Sequence, residues 1–142
     1  MSSPSLRLAT AGDVDFLFRM ANDPDMIAAR FDHKRIGWCE HRWWMLDMLA
    51  DPNVRQYIAE VDGEAVGEIR LDWIADGVEV GLVVDPAHRG NGYGSDMILE
   101  AVELQDAPRY TAHIAEDNEA SKHAFFKAGF LPAGGTLYVR EC

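Results

Sequence analysis

Val83-Val84-Asp85-Pro86-Ala87-His88-Arg89-Gly90-Asn91-Gly92-Tyr93-Gly94-Ser95 joins an apolar, β-branched stretch to an amphipathic one, and its reading decides the fold. Upstream, Val78 to Val84 has the composition of a strand. Downstream, Met97, Ile98, Ala101 and Val102 recur at helical spacing, so the pattern runs strand, turn, helix. Gly90, Gly92 and Gly94 let the backbone between them take tight or left-handed conformations and bring successive N–H groups close to a ligand. The helix behind adds its positive end, which suits a pyrophosphate. Taken alone, such a turn is equally consistent with a plain strand-to-helix connection.

Two familiar phosphate-binding readings fail. A dinucleotide site follows the first strand of a βαβ unit, whereas here an antiparallel meander comes first. A P-loop needs Lys-Ser/Thr directly after its last glycine, and no lysine follows this cluster. The meander is signalled by two Asp-Gly turns. Asp62-Gly63 separates Gln56 to Val61 from Ala65 to Leu71, and Asp76-Gly77 introduces Val78 to Val84. Further out, Ser5 to Ala9 reads as a first strand. Thr10 and Asp13 open a helix striped by Val14, Phe16, Leu17, Met20 and Ala21, which ends before Asn22-Asp23-Pro24. A second helix is predicted from about Gly37 to Ala50, stopped by Asp51-Pro52. Past Pro108 come a strand from Arg109 to Ala115, a helix from Asn118 to Ala128 closed by Gly129, and a strand from Leu137 to Arg140. The expected fold class is α/β, a mixed and mostly antiparallel sheet with helices on both faces.

The 142 residues suit one domain over residues 1–142, since no linker or repeat interrupts them. With 13 basic against 24 acidic residues, the net charge of -11 argues against nucleic acid as a partner. No apolar run approaches the roughly 18 residues of a membrane span, and Met1-Ser2-Ser3-Pro4 lacks a signal pattern. The expectation is a cytoplasmic protein with no membrane partner. Cys39 and Cys142 have no zinc-type spacing and read as reduced thiols, so no metal is expected.

The glycine turn resembles the acetyl-CoA signature of the GNAT acetyltransferases, Arg/Gln-x-x-Gly-x-Gly/Ala, through Arg89, Gly92 and Gly94. A second block, Asn118-Glu119-Ala120-Ser121-Lys122-His123-Ala124-Phe125-Phe126-Lys127-Ala128-Gly129-Phe130, is similar to that family's later conserved segment. The resemblance extends over the whole chain in element order. It implies a splayed central strand pair holding acetyl-CoA and an N-acetyltransferase that moves the acetyl group to a primary amine by direct attack in a ternary complex.

Carried over residue by residue, it implies that the backbone of Arg89, Gly90, Asn91, Gly92, Tyr93, Gly94 and Ser95 holds the CoA pyrophosphate. Val83 and Val84 would meet the pantetheine arm as an added strand does. Asn118, Ser121 and Lys127 would line the other side, Lys127 near a CoA phosphate or simply solvated. Glu79 is the expected proton acceptor, with Asp72 and His113 in reserve. A backbone N–H near Val83 or Val84, freed by a bulge, would stabilise the oxyanion. Many relatives place a tyrosine where this chain has Phe125, so the usual acid for the departing thiolate is missing.

For the acceptor, Ala21 to Pro24, Glu40 to Trp44 and Gly67 to Asp72 look like the branch that acetylates nucleotide-linked amino sugars. Trp43 or Trp44 would then stack on a base or sugar and Arg30, Arg42 or Arg70 would meet a phosphate; the tryptophans suit packing equally well. The branch that acetylates protein N-terminal amines, including ribosomal ones, is the second reading, and a non-catalytic acyl-CoA-binding module the third. A monomer or homodimer fits all three.

Overall fold

A computed structural model describes residues 3–29 and 33–141. The chain divides into two compact units, Ala9–Pro52 and the remainder, each described here in its own terms.

The larger unit is built on one seven-stranded sheet in the order β1-β2-β3-β4-β5-β7-β6. Its strands are β1 (Ser5–Leu8), β2 (Val54–Val61), β3 (Glu64–Ile74), β4 (Gly77–Val84), β5 (Arg109–His113), β6 (Leu131–Pro132) and β7 (Leu137–Glu141). Every neighbouring pair is antiparallel except β4 and β5, which run parallel. Two helices belong to this unit, α4 (Tyr93–Glu103) and α5 (Glu119–Lys127). Alternation along the strands sends Ile69 and Leu71 of β3 and Val78 and Val80 of β4 into the same core as Met97, Ile98 and Ala101 of α4. Phe125 of α5 and Phe130 close that core with an edge-to-face contact, ring centroids 5.0 Å apart.

The Asp62-Gly63 turn has both residues at positive φ, 52° and 81°, as a two-residue hairpin of the primed type requires. The second hairpin turns one residue earlier than the sequence suggests. Ile74 pairs with Gly77, so Ala75 and Asp76 make the turn and Gly77 is already in β4. An added Cβ at Gly77 would lie 2.2 Å from the Arg109 carbonyl oxygen, which shows what the glycine is for: β5 crosses close to the β4 backbone there. The register irregularity in the meander falls between Ala59 and Glu60 of the β2–β3 pair. β4 itself pairs with β3 without a break, so the expected bulge near Val83 is absent.

The smaller unit holds α1 (Val14–Ala21), α2 (Pro24–Ala29) and α3 (Trp38–Ala50). Thr10 and Asp13 cap the short 3-10 turn that leads into α1. The Asp13 carboxylate accepts from the Thr10 N–H at 2.8 Å and the Thr10 hydroxyl accepts from Gly12 at 3.3 Å. Pro24, expected to end the helical run, opens α2 instead, because the first turn of a helix has no use for its missing N–H. The Asn22 side chain donates to the Ile36 carbonyl and accepts its N–H, at 3.0 and 2.8 Å, tying the end of α1 to the approach to α3. On α3, His41 is buried beside the rings of Phe18 and Trp44, and burial lowers its pKa.

Candidate active site

The β4–β5 pairing is short. Val78 faces Tyr110 and Glu79 faces Thr111, and no residue of β4 beyond Glu79 is paired with β5. From Val80 to Val84 the two strands are therefore apart, leaving one side of the β4 backbone without a ladder. Asp85 N–H donates to the Val66 carbonyl at 2.8 Å, which sets the alternation: amides of odd-numbered residues point to β3 and those of even-numbered ones to the gap. Leu82 and Val84 accordingly present N–H and C=O groups to the gap. The Val83 amide belongs to the β3 side, so of the two residues expected near the oxyanion only Val84 has its amide on the gap side, and Leu82, which shares that side, was not among the expected residues.

The gap opens toward the glycine turn. Asp85 is buried and caps a 3-10 turn, Pro86–His88, by accepting from the Ala87 N–H at 3.2 Å. Arg89 folds back to donate from Nε to the Val84 carbonyl at 3.2 Å, tying the turn to the end of β4. Gly90 and Gly92 both lie in the left-handed region, at φ 85° and 77°, and Gly92 is the residue that caps α4. Nothing lies within 4 Å of where their Cβ atoms would be, so the backbone is open to a ligand. Asn91 is held by its amide donating to the His88 carbonyl at 3.0 Å, and Ser95 by its hydroxyl donating to the Gly92 carbonyl at 3.3 Å. The first-turn amides of α4 have no partner within the helix, and the helix dipole adds positive potential there. Gly94 does different work: a Cβ would press on Ala124 and Leu82, at 3.2 and 3.3 Å, so its absence lets α4 approach α5 and β4. Tyr93 is packed against the core.

Of the second block, Asn118 caps α5, its carbonyl oxygen accepting from the Ser121 N–H at 3.1 Å, and Lys127 is exposed in the last turn. Phe125 is buried at 3% exposure, so the place of the missing tyrosine is packed into the core.

The sheet face opposite the α4 core carries the titratable groups. On β4 it shows Glu79, Gly81 and Val83; on β3 it shows Glu68, Arg70 and Asp72, in register so that Asp72 faces Glu79, Arg70 faces Gly81 and Glu68 faces Val83. Arg70 grips Asp72, the first reserve base, in a two-pronged ion pair, Nε to Oδ2 at 3.0 Å and Nη2 to Oδ1 at 2.9 Å. His113, the other reserve, is exposed and shares a hydrogen bond of 3.2 Å with the Thr136 hydroxyl. Glu68 was quoted in the sequence motif without a role. Burial pushes its carboxyl up to about 7, against a lowering pull from Arg70. The alternation of Glu68, Arg70 and Asp72 with Ile69 and Leu71 is the sequence signal that could have found this face.

Trp43 and Trp44 are 65% and 50% exposed, so neither is core. Arg42 is exposed on α3, and Arg30 lies outside the described residues. A depression of about 490 Å³ lined by Trp73 to Gly77 and Asp106 to Pro108 sits at the far end of β4, away from the glycine turn. Among the described residues no three His, Cys, Asp or Glu side chains are grouped to hold a metal, and no helix is long and apolar enough to cross a membrane.

Residues 5–131 match the family model described as an acetyltransferase (GNAT) domain. No curated protein sequence matches significantly. Among solved structures, the aminoglycoside acetyltransferase AAC(6')-Ib in complex with ribostamycin and coenzyme A is similar at a TM-score of 0.86 and 22% identity, over 98% of this chain and 93% of that one. Spermidine N-acetyltransferase from Vibrio cholerae, in complex with CoA and spermine, is similar at 0.81 and 18% identity, over 96% and 92%. At such identities these likenesses establish the fold.

Proposed function

Because this chain belongs to the GNAT acetyltransferase family and is an acetyl-CoA-dependent N-acetyltransferase, we propose that its acceptor is a cationic primary amine of a small molecule. The observation that carries this is the β3–β4 face, where Glu79 and Glu68 stand without a hydrogen bond or ion pair among the described residues while Arg70 is already tied to Asp72. A net charge of -11 acts in the same direction. The solved relatives hold amines of this class, ribostamycin and spermine. An anionic nucleotide-linked amino sugar suits this face poorly, because Arg70 is spoken for; a protein N-terminal amine carries one positive charge and is the second reading. A non-catalytic module is disfavoured by the unpaired carboxylate at Glu79. We take residues 1–142 as one cytoplasmic acetyltransferase domain, active as a monomer or homodimer; the family match spans both compact units.

In this reading the CoA pyrophosphate rests on the backbone from Arg89 to Ser95, at the start of α4, and the pantetheine arm runs along the free side of β4. Leu82 and Val84 supply main-chain hydrogen bonds there, with Val83 beside them, and the Leu82 N–H is the donor nearest to where negative charge develops on the thioester oxygen. Asn118, Ser121 and Lys127 flank the arm from α5. Glu79, at the last paired position before the strands part, takes the proton of the acceptor ammonium so that the nitrogen attacks as a neutral amine. Phe125 offers no proton, so the CoA sulfur leaves as thiolate and is protonated from water or from the attacking nitrogen; a thiol of pKa roughly 8.5 allows this.

Release of CoA thiol from acetyl-CoA, followed across polyamines, aminoglycosides, nucleotide-linked amino sugars and N-terminal peptides, tests the reading. Cationic small amines should give acceptor-dependent release that Glu79→Gln reduces by roughly 10²-fold or more. Release only with anionic sugars or peptides, or full activity in Glu79→Gln, would sink it.

A further inference from the structure

Gly81 lies in the middle of the charged face, and nothing comes within 4 Å of the place its Cβ would occupy. Its neighbours on β4 are Glu79 and Val83, and the β3 residues alongside are Glu68, Arg70 and Asp72. The missing side chain leaves open space above the sheet between the ladder positions of the two carboxylates. Glu68 is half-buried by its surface, yet protein packs around its carboxyl closely enough for desolvation to dominate its titration. No hydrogen bond or ion pair holds Glu68 among the described residues. Its cross-strand partners, Ile58 on β2 and Val83 on β4, carry no charge, and the one cation acting on it, Arg70, is bound to Asp72.

Resting on the reading of the site above, we propose that the open stretch of sheet over Gly81 leads to a second ammonium subsite in which Glu68 anchors the non-reacting cationic end of a diamine or polyamine whose other nitrogen is delivered to Glu79. The two carboxylates lie four ladder positions apart, roughly 13 Å along the strands at 3.3 Å per residue. That separation selects an extended diammonium chain over a compact monoamine. A partner cation also settles Glu68 in its charged form, so the anchor strengthens as pH rises through about 7. Glu68 here is a specificity-determining group, and proton transfer and acetyl transfer remain with Glu79 and the β4 amides.

The test compares spermidine, diaminooctane and aminooctanol, in which a hydroxyl replaces one ammonium, on wild type, Glu68→Gln and Gly81→Leu. Turnover is read with calorimetric titration of acetyl-CoA and of each amine into the CoA-loaded protein. Wild type should favour diaminooctane over aminooctanol by tenfold or more in kcat/KM, mainly through KM, and that preference should fall with acidification through about pH 7. Glu68→Gln should erase the preference and its pH dependence, with acetyl-CoA affinity within about twofold of wild type. Gly81→Leu should weaken all three amines with unchanged acetyl-CoA affinity. Equal preference in wild type and Glu68→Gln overturns the subsite while leaving the transferase reading intact. Diamine binding that needs Glu68, with no turnover of any amine, upholds the subsite and overturns that reading instead.

Discussion

Gly77 and Gly81 sit on the same strand and answer opposite demands. At Gly77 the backbone lies at φ 151° and a Cβ would meet the Arg109 carbonyl at 2.2 Å, so Gly77→Ala must push β5 away. We expect it to lower stability by more than about 1 kcal/mol, read from urea midpoints. Gly81→Ala, with open space above it, should leave the midpoint nearly unchanged. Both glycines are plain in the sequence, but what each one spares is set by a strand about thirty residues away or by the face of a neighbour, which no local pattern records. Asp76-Gly77 was read as a turn for that reason. Glu68 makes a second prediction at this scale. Its carboxyl is raised from 4.5 to about 7 in the folded protein, so the native state holds the proton more tightly than the unfolded chain. That contribution is complete below about pH 4.5 and is lost as pH rises through about 7. Against Glu68→Gln, wild type should therefore lose up to roughly 3 kcal/mol between pH 4.5 and 8, measured by denaturant titration at each pH. A flat difference would mean the carboxyl is not desolvated.

β4 and α4 act as one device at the level of elements. The strand ends in a gap, Arg89 ties the turn to the strand end, and Gly92 in the left-handed region starts the helix whose first amides face outward. Gly92→Ala should place a Cβ in an unfavourable conformation at a cost of about 1–2 kcal/mol and weaken acetyl-CoA binding several-fold by calorimetry, while KM for the amine stays near wild type. The strand, turn and helix were legible because β-branched residues, spaced glycines and a 3.6-residue stripe are local signals. So were the order of the meander and the end of α5 at Gly129. The parting of β4 from β5 was implied only by family resemblance, since nothing within Val80 to Val84 differs in kind from the paired half of the strand. α2 was missed because Pro24 serves as readily at a first turn as at a stop, and β6 because two residues, one of them Pro132, make no pattern.

Across the whole molecule the excess of acid favours encounter with cations over anions. For a diamine or polyamine acceptor, kcat/KM should fall several-fold when ionic strength rises from about 0.01 M to 0.15 M, where the screening length shrinks from roughly 30 to 8 Å. A singly charged amine should respond less, and an insensitive diamine would remove long-range charge from the account. The net charge is read directly from composition, whereas the side on which the carboxylates gather depends on strand register. Amide hydrogen exchange with and without CoA tests most directly whether acetyl-CoA lies along the free side of β4. Slowed exchange is expected at Leu82 and Val84 and from Asn91 to Ser95, with Val83 little changed because its amide already belongs to the β3 ladder. Protection confined to the Trp73–Gly77 end of the sheet, or none along β4, would contradict it.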